Sequence, residues 1–119
     1  MQKLTNKEEE IMVYLWERGA MFVKDIVALY ADPKPHFNTI STMVRMLEAK
    51  GFVDHEAFGN TYRYHPVISQ EEYSKGVLGN VVTRYFENSY KSVVSALIEE
   101  EKISIDELEE LIRKVQNQQ

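Results

Sequence analysis

The strongest constraint on this chain is the junction at Lys50-Gly51, where a helical pattern stops and an alternating one begins with no linker between them. From His36 to Lys50 the apolar residues Ile40, Met43/Val44 and Leu47 recur every three or four positions, the spacing of one helix face. Gly51 ends that helix. Phe52 to Phe58 and Thr61 to His65 then alternate as strands. Gly59-Asn60 joins them, a pair suited to a tight turn that needs positive φ. Val53, His55 and Ala57 share one side of the first strand, and Tyr62 and Tyr64 share a face of the second. Pro66 closes the unit.

Upstream, Thr5-Asn6-Lys7-Glu8 forms a capping box that opens a helix with Ile11/Met12 and Leu15/Trp16 inward and Gly19 at its end. Phe22 to Ala31 predicts a second amphipathic helix, with Val23, Ile26/Val27 and Tyr30 inward. Asp32-Pro33-Lys34-Pro35 breaks it, because each proline disfavours helix at the residue before it. Three helices and a hairpin is the order of a winged helix-turn-helix, in which a short strand near Ala20–Phe22 often joins the hairpin. Downstream, capping boxes at Ser69–Glu72 and Ser104–Glu107 and a restart at Asn88-Ser89 predict three further helices, with Gly76 and Gly79 as weak points in the first. The expected class is therefore mainly α with a small β-hairpin wing. A winged-helix domain over residues 1–67 precedes a helical dimerisation region over 68–119. Each C-terminal helix has a single apolar stripe, and a layer that thin is most simply covered by a second copy of the chain.

At 119 residues the chain holds one ordinary domain or two very small ones sharing a core. No run approaches the ~18–20 apolar residues that cross a bilayer. The start, MQKLTNKEEE, has no apolar secretory segment. Without cysteine there is no disulfide, thiolate metal site or thiol nucleophile, and a cytoplasmic location is expected. The net charge of −5 is unevenly placed. Eight Lys/Arg stand against nine Asp/Glu up to Pro66, and six against ten after it. The acidity thus belongs mostly to the C-terminal region.

The polar face of the third helix carries Asn38, Ser41, Thr42 and Arg45, with no carboxylate before Glu48 in a chain rich in them. Short hydrogen-bonding groups and a cation can enter a major groove and meet base edges and phosphates without repelling them. Thr39, in the first turn, is placed near phosphate. Asn60 and Arg63, at and beside the wing tip, are balanced between phosphate contact and ordinary surface roles. The seven tyrosines fit core and interface better than a ligand pocket, though a small-molecule effector stays open. His36, His55 and His65 lack the spacing of a local metal site, and neither metal nor cofactor is expected. No nucleophile–base pair, phosphate loop or metal-ligand motif points to an enzyme. A winged-helix protein-interaction module without a nucleic-acid role is the alternative that the acidic balance favours.

Nearly the whole chain resembles the penicillinase repressor family, the regulators of β-lactamase and methicillin-resistance operons. The resemblance is carried by Leu4-Thr5, Glu8-Glu9-Glu10-Ile11-Met12, Leu15-Trp16, Gly19 and Val23-Lys24-Asp25-Ile26. It continues through Asn38-Thr39-Ile40, Thr42, Leu47, Lys50-Gly51-Phe52-Val53 and Tyr62-Arg63-Tyr64-His65-Pro66. Ser69, Glu72-Tyr73, Ile103-Ser104 and Glu107-Leu108-Glu109-Glu110-Leu111 complete it. It implies a dimeric, sequence-specific repressor on a palindromic double-stranded DNA operator. In well-known members a membrane sensor with a metalloprotease domain triggers cleavage within the dimerisation region. The aligned position is Ala96-Leu97, where those members have Asn-Phe. This chain also has His36-Phe37 in place of a Ser-Pro helix start, and Met46 where many members carry arginine. Copper-responsive relatives bind metal through C-terminal cysteines, which are missing here.

Overall fold

Capping chemistry sets the first element. In the computed structural model, which describes residues 2–118, the Glu8 backbone N–H donates to Thr5 Oγ1 at 3.2 Å and the Thr5 N–H donates to the Glu8 carboxylate at 2.9 Å. Helix α1 (Asn6–Arg18) follows and ends at Gly19. Strand β1 (Met21–Phe22), helix α2 (Val23–Ala28), helix α3 (Phe37–Ala49) and strands β2 (Val53–Phe58) and β3 (Thr61–Pro66) come next. The strands form one antiparallel sheet in the order β1-β3-β2. These are the helices, hairpin and short joining strand that the sequence pattern predicts.

Two boundaries differ from expectation for identifiable reasons. Helix α2 stops at Ala28 rather than Ala31, ahead of the prolines. Lys34 reaches back to this end, its Nζ donating to Ala28 O at 3.1 Å and to Tyr30 O, just beyond the helix, at 2.6 Å. Helix α3 starts at Phe37 because His36 is its N-cap, with Nδ1 accepting from the Asn38 N–H at 3.1 Å. Histidine is not among the favoured caps, so pattern alone does not point to this role.

The core lies among α1, α2 and α3. Ile11, Met12 and Leu15 meet Ile26 and the α3 stripe of Ile40, Val44 and Leu47, none more than 2% exposed. Burying an aliphatic side chain of this size contributes about 1.5–3 kcal/mol relative to leaving it in water. Gly51, at φ 84°, turns the chain out of α3 in a conformation that side chains resist. Phe52 is thereby buried, and its backbone is held at both ends: its N–H donates to Leu47 O and its carbonyl accepts from the Val67 N–H. Gly59, at φ 61°, takes the first position of the hairpin turn, where a two-residue loop favours glycine.

Among the described residues the one buried charged side chain is Glu8. Its carboxylate meets Lys50 Nζ at 2.7 Å and ties the start of α1 to the end of α3. Helix α4 (Gln70–Tyr85) is capped by Ser69, whose Oγ accepts from the Glu72 N–H at 3.0 Å. Its first turn belongs to the same unit. The Tyr73 hydroxyl donates to Glu9 at 2.6 Å and accepts from the buried Leu4 N–H at 3.0 Å. Burial, followed by the Glu9 carboxylate, pushes the Tyr73 phenol up to about 12. Trp16 Nε1 donates to Ile68 O at 2.9 Å and secures the same segment.

The chain divides into two compact units inside α4, Met1–Gly76 and Val77–Gln119. Helix α4 runs unbroken through Gly76 and Gly79, the expected weak points. The second unit also holds α5 (Tyr90–Glu99), capped by Ser89, and α6 (Ile105–Asn117), capped by Ser104 within a full capping box. Val82 of α4 is buried, whereas α5 and α6 bury none of their described residues.

The Glu8–Lys50 pair makes a stability prediction with a definite sign. Burial alone raises the Glu8 carboxyl pKa, but the hydrogen bonds from Lys50 and Thr5 outweigh it and leave it below its ordinary 4.5. A depressed carboxyl stabilises the fold above its unfolded pKa and loses that contribution as pH falls through the folded value. Glu8→Gln is expected to cost about 1.5–3 kcal/mol near neutral pH, the range for a hydrogen bond to a charged group. Urea unfolding of both proteins checks this, with the gap constant above pH 6 or so and closing as the pH drops below 4.5.

Candidate nucleic-acid interface

One side of α3 is fixed by packing and the other is left to solvent. With Ile40, Val44 and Leu47 turned inward, helical geometry places Asn38, Thr42 and Arg45 outward. Asn38, Thr39, Thr42 and Arg45 are exposed and Ser41 is half-buried. The first turn of α3 contains no acidic residue. Arg45 Nη2 reaches Thr42 Oγ1 at 3.5 Å, a loose contact that leaves the guanidinium free to turn to an outside acceptor.

The wing stands beside this face. A cleft of about 310 Å³ runs between α3, α2 and the hairpin, lined among others by Ser41, Phe37, Asn60, Thr61, Tyr62 and Lys24. Two of the expected contact residues, Ser41 and Asn60, are thus brought to one place. Lys24 joins them as the only charged group in the lining. Lys24 is exposed on α2, and only the packing of α2 beside α3 and the wing gives it this position. Tyr64, which is buried, also lines the cleft. Burial, and then the Glu48 carboxylate, raise its phenol above the usual value against the opposing pull of Arg45, so it stays neutral at physiological pH.

Arg63 is placed differently. Its Cα partner on β2 is Glu56, and the two side chains meet at 3.7 Å. Its guanidinium also lies over the Phe58 ring, 4.7 Å from the centroid. The next residues along β3, Tyr62 and Tyr64, turn to the opposite sheet face and meet His55, with ring centroids 4.3 and 5.6 Å away. The structure therefore gathers Ser41 and Asn60 with Lys24, keeps Asn38, Thr39, Thr42 and Arg45 on the open helix face, and turns Arg63 from the cleft. In the second unit Ala96 is half-buried and Leu97 is exposed, both inside α5. Among the described residues no helix is long and apolar enough to cross a membrane.

A three-helix unit with a short three-stranded sheet and an open polar face on its third helix defines a winged-helix regulator. Sequence comparison supplies the family. The penicillinase repressor profile matches residues 4–117. The chain belongs to the penicillinase repressor family, and its function class is transcriptional repression rather than catalysis. It is 24% identical over 112 residues to the methicillin resistance regulatory protein MecI of Staphylococcus aureus (strain N315), covering 92% of this chain and 89% of that protein. The same protein from Staphylococcus epidermidis matches equally. The penicillinase repressor of Bacillus licheniformis is 24% identical over 114 residues, covering 92% of this chain and 86% of its own.

The different settings of Lys24 and Arg63 predict different salt behaviour. Lys24→Ala should weaken duplex DNA binding on every sequence and lower the slope of log affinity against log salt by about one. Arg63→Ala should lower that slope by less, since the Glu56 carboxylate 3.7 Å away partly offsets its charge. Fluorescence anisotropy across a salt series distinguishes the two.

Proposed function

We propose that the protein is a dimeric repressor that reads a palindromic DNA operator with α3 and blocks transcription by occupying it. The observation that carries this reading is the open side of α3, where Asn38, Thr42 and Arg45 stand exposed opposite a fully buried apolar stripe. Asn38, Ser41 and Thr42 have the size and hydrogen-bonding capacity for base edges or phosphates, and Arg45 that for a guanine edge or a phosphate. Thr39, Asn60 and Lys24 are assigned to the backbone, which fixes register without reading sequence. A near-neutral reading unit gives weak non-specific attraction, so specific contacts and a second copy must supply the affinity.

The second unit supports pairing. Leu78, Tyr85, Leu97, Leu111, Ile112 and Val115 are each between 42 and 69% exposed. Two helices that bury nothing of their own gain most by packing against the same helices of another chain. Dimerisation then couples two weak half-site contacts, because binding of one reader raises the effective concentration of the other. Control through the second unit follows, since separating the copies removes the coupling and leaves α3 untouched. Cleavage at Ala96-Leu97 by a membrane-sensor metalloprotease would act in this way. Glu100 N–H donates to Ala96 O and Lys102 N–H to Leu97 O, so α5 must open locally before a protease can take that bond.

Leu111→Arg tests the coupling. The side chain is 50% exposed on α6, so the change leaves each unit's own packing intact. The variant should sediment as a monomer and bind the preferred duplex about 100-fold or more weakly than the parent. Full affinity from a monomeric variant would reject the dimeric reading. A protein-interaction module, the rival that the acidic balance raises, would show neither a preferred duplex nor a steep fall of DNA binding with salt.

A further inference from the structure

Where α3 gives way to the wing, the fold gathers three metal-ligating side chains that sequence spacing does not connect. Glu48 comes from the last turn of α3, and Asp54 and His55 from the start of β2. One ligand atom from each lies within 4.8 Å of those from the other two. His55 Nδ1 stands 2.5 Å from Glu48 Oε2. The His55 ring is stacked on Tyr62 at a centroid distance of 4.3 Å and an interplanar angle of 28°, which restricts its orientation.

The Glu48–His55 contact does not involve the second carboxylate, whose Asp54 Oδ1 accepts the His55 backbone N–H at 2.8 Å. Among the described residues no lysine or arginine forms a salt bridge with Glu48 or Asp54. Even a protonated His55 would leave the group net negative. Tetrahedral zinc, with donors at roughly 2.0–2.2 Å, holds them about 3.4 Å from one another. Shifts of about 1 Å would bring the present spread to that geometry, a small movement for side chains about 30% exposed. His65, the cross-strand partner of Asp54, lies on the sheet face opposite His55, so the remaining positions fall to water. One imidazole with two carboxylates suits zinc or a similar borderline divalent ion better than calcium or magnesium, which prefer all-oxygen sites.

We propose that Glu48, Asp54 and His55 bind a divalent transition-metal cation, zinc being the best fit, with water completing the coordination. The site staples the end of the proposed reading helix to the first strand of the wing. A bound cation there restricts movement of the hairpin relative to α3. Metal uptake itself does not depend on the DNA reading; only the consequence for DNA rests on it.

The test is calorimetric titration of zinc into the metal-free full-length chain without DNA, so that a failure of operator binding leaves this result untouched. The expected result is one zinc per chain at micromolar or tighter affinity. Asp54→Asn and His55→Gln should each weaken it at least about tenfold, the scale of losing a first ligand or its support. His36→Gln should leave it unchanged. Asp54 is exposed, so Asp54→Asn tests the site with little demand on folding, and circular dichroism confirms that each variant retains its helices. Absence of stoichiometric uptake, or uptake that survives in the Asp54→Asn/His55→Gln double variant, would overturn the proposal.

Discussion

The reading unit depends on how α3 is seated. Ile40, Val44 and Leu47 lock one side of the helix into the core, and this packing decides which residues face outward. A rotation of the helix by one residue would turn the face by about 100°, burying polar groups and exposing apolar ones. The core therefore sets the orientation of Asn38, Thr42 and Arg45 more firmly than any contact those residues make themselves. Glu8–Lys50 fixes the far end of α3 against α1. Gly51 and Phe52 convert that fixed end into the origin of the wing. A sequence reader needs such rigidity, because base-edge hydrogen bonds tolerate little displacement.

The second unit is built on the opposite principle. Its helices are well capped and locally sound, with serine hydroxyls at the starts of α5 and α6. Their apolar stripes, however, stay open to water in the isolated chain. Local capping makes the helices, and a partner surface must cover them. In the proposed repressor this division is useful: the reader is stable on its own packing, while the strength of its grip depends on a region that can be separated or cut. The charge distribution agrees, with six Lys/Arg against ten Asp/Glu after Pro66 and a near balance of eight against nine before it.

Much of this was legible in the sequence because it is local. Capping boxes at Thr5, Ser69 and Ser104, the three- and four-residue apolar spacing in α1 and α3, and the Gly59 turn all depend on residues within a few positions of one another. What escaped prediction is held by contacts distant in sequence or by unusual chemistry. Lys24 enters the cleft only through tertiary packing. No local pattern announces that Glu56 and Phe58 engage Arg63. His36 caps α3 in place of a conventional capping residue, and Lys34 bonds carbonyls at and just beyond the end of α2. Glu48 joins Asp54 and His55 only because α3 and β2 meet at a sharp turn.

The central claim is that the open face of α3 reads double-stranded DNA while a second copy reads the adjoining turn. Selecting duplexes from a random pool with the full-length chain, and sequencing those retained, measures this directly. The account predicts enrichment of two inverted half-sites whose centres lie about one helical turn, roughly 10 base pairs, or a whole multiple of it apart. A retained pool with no common sequence, or with one unpaired site bound as tightly as two, would contradict it.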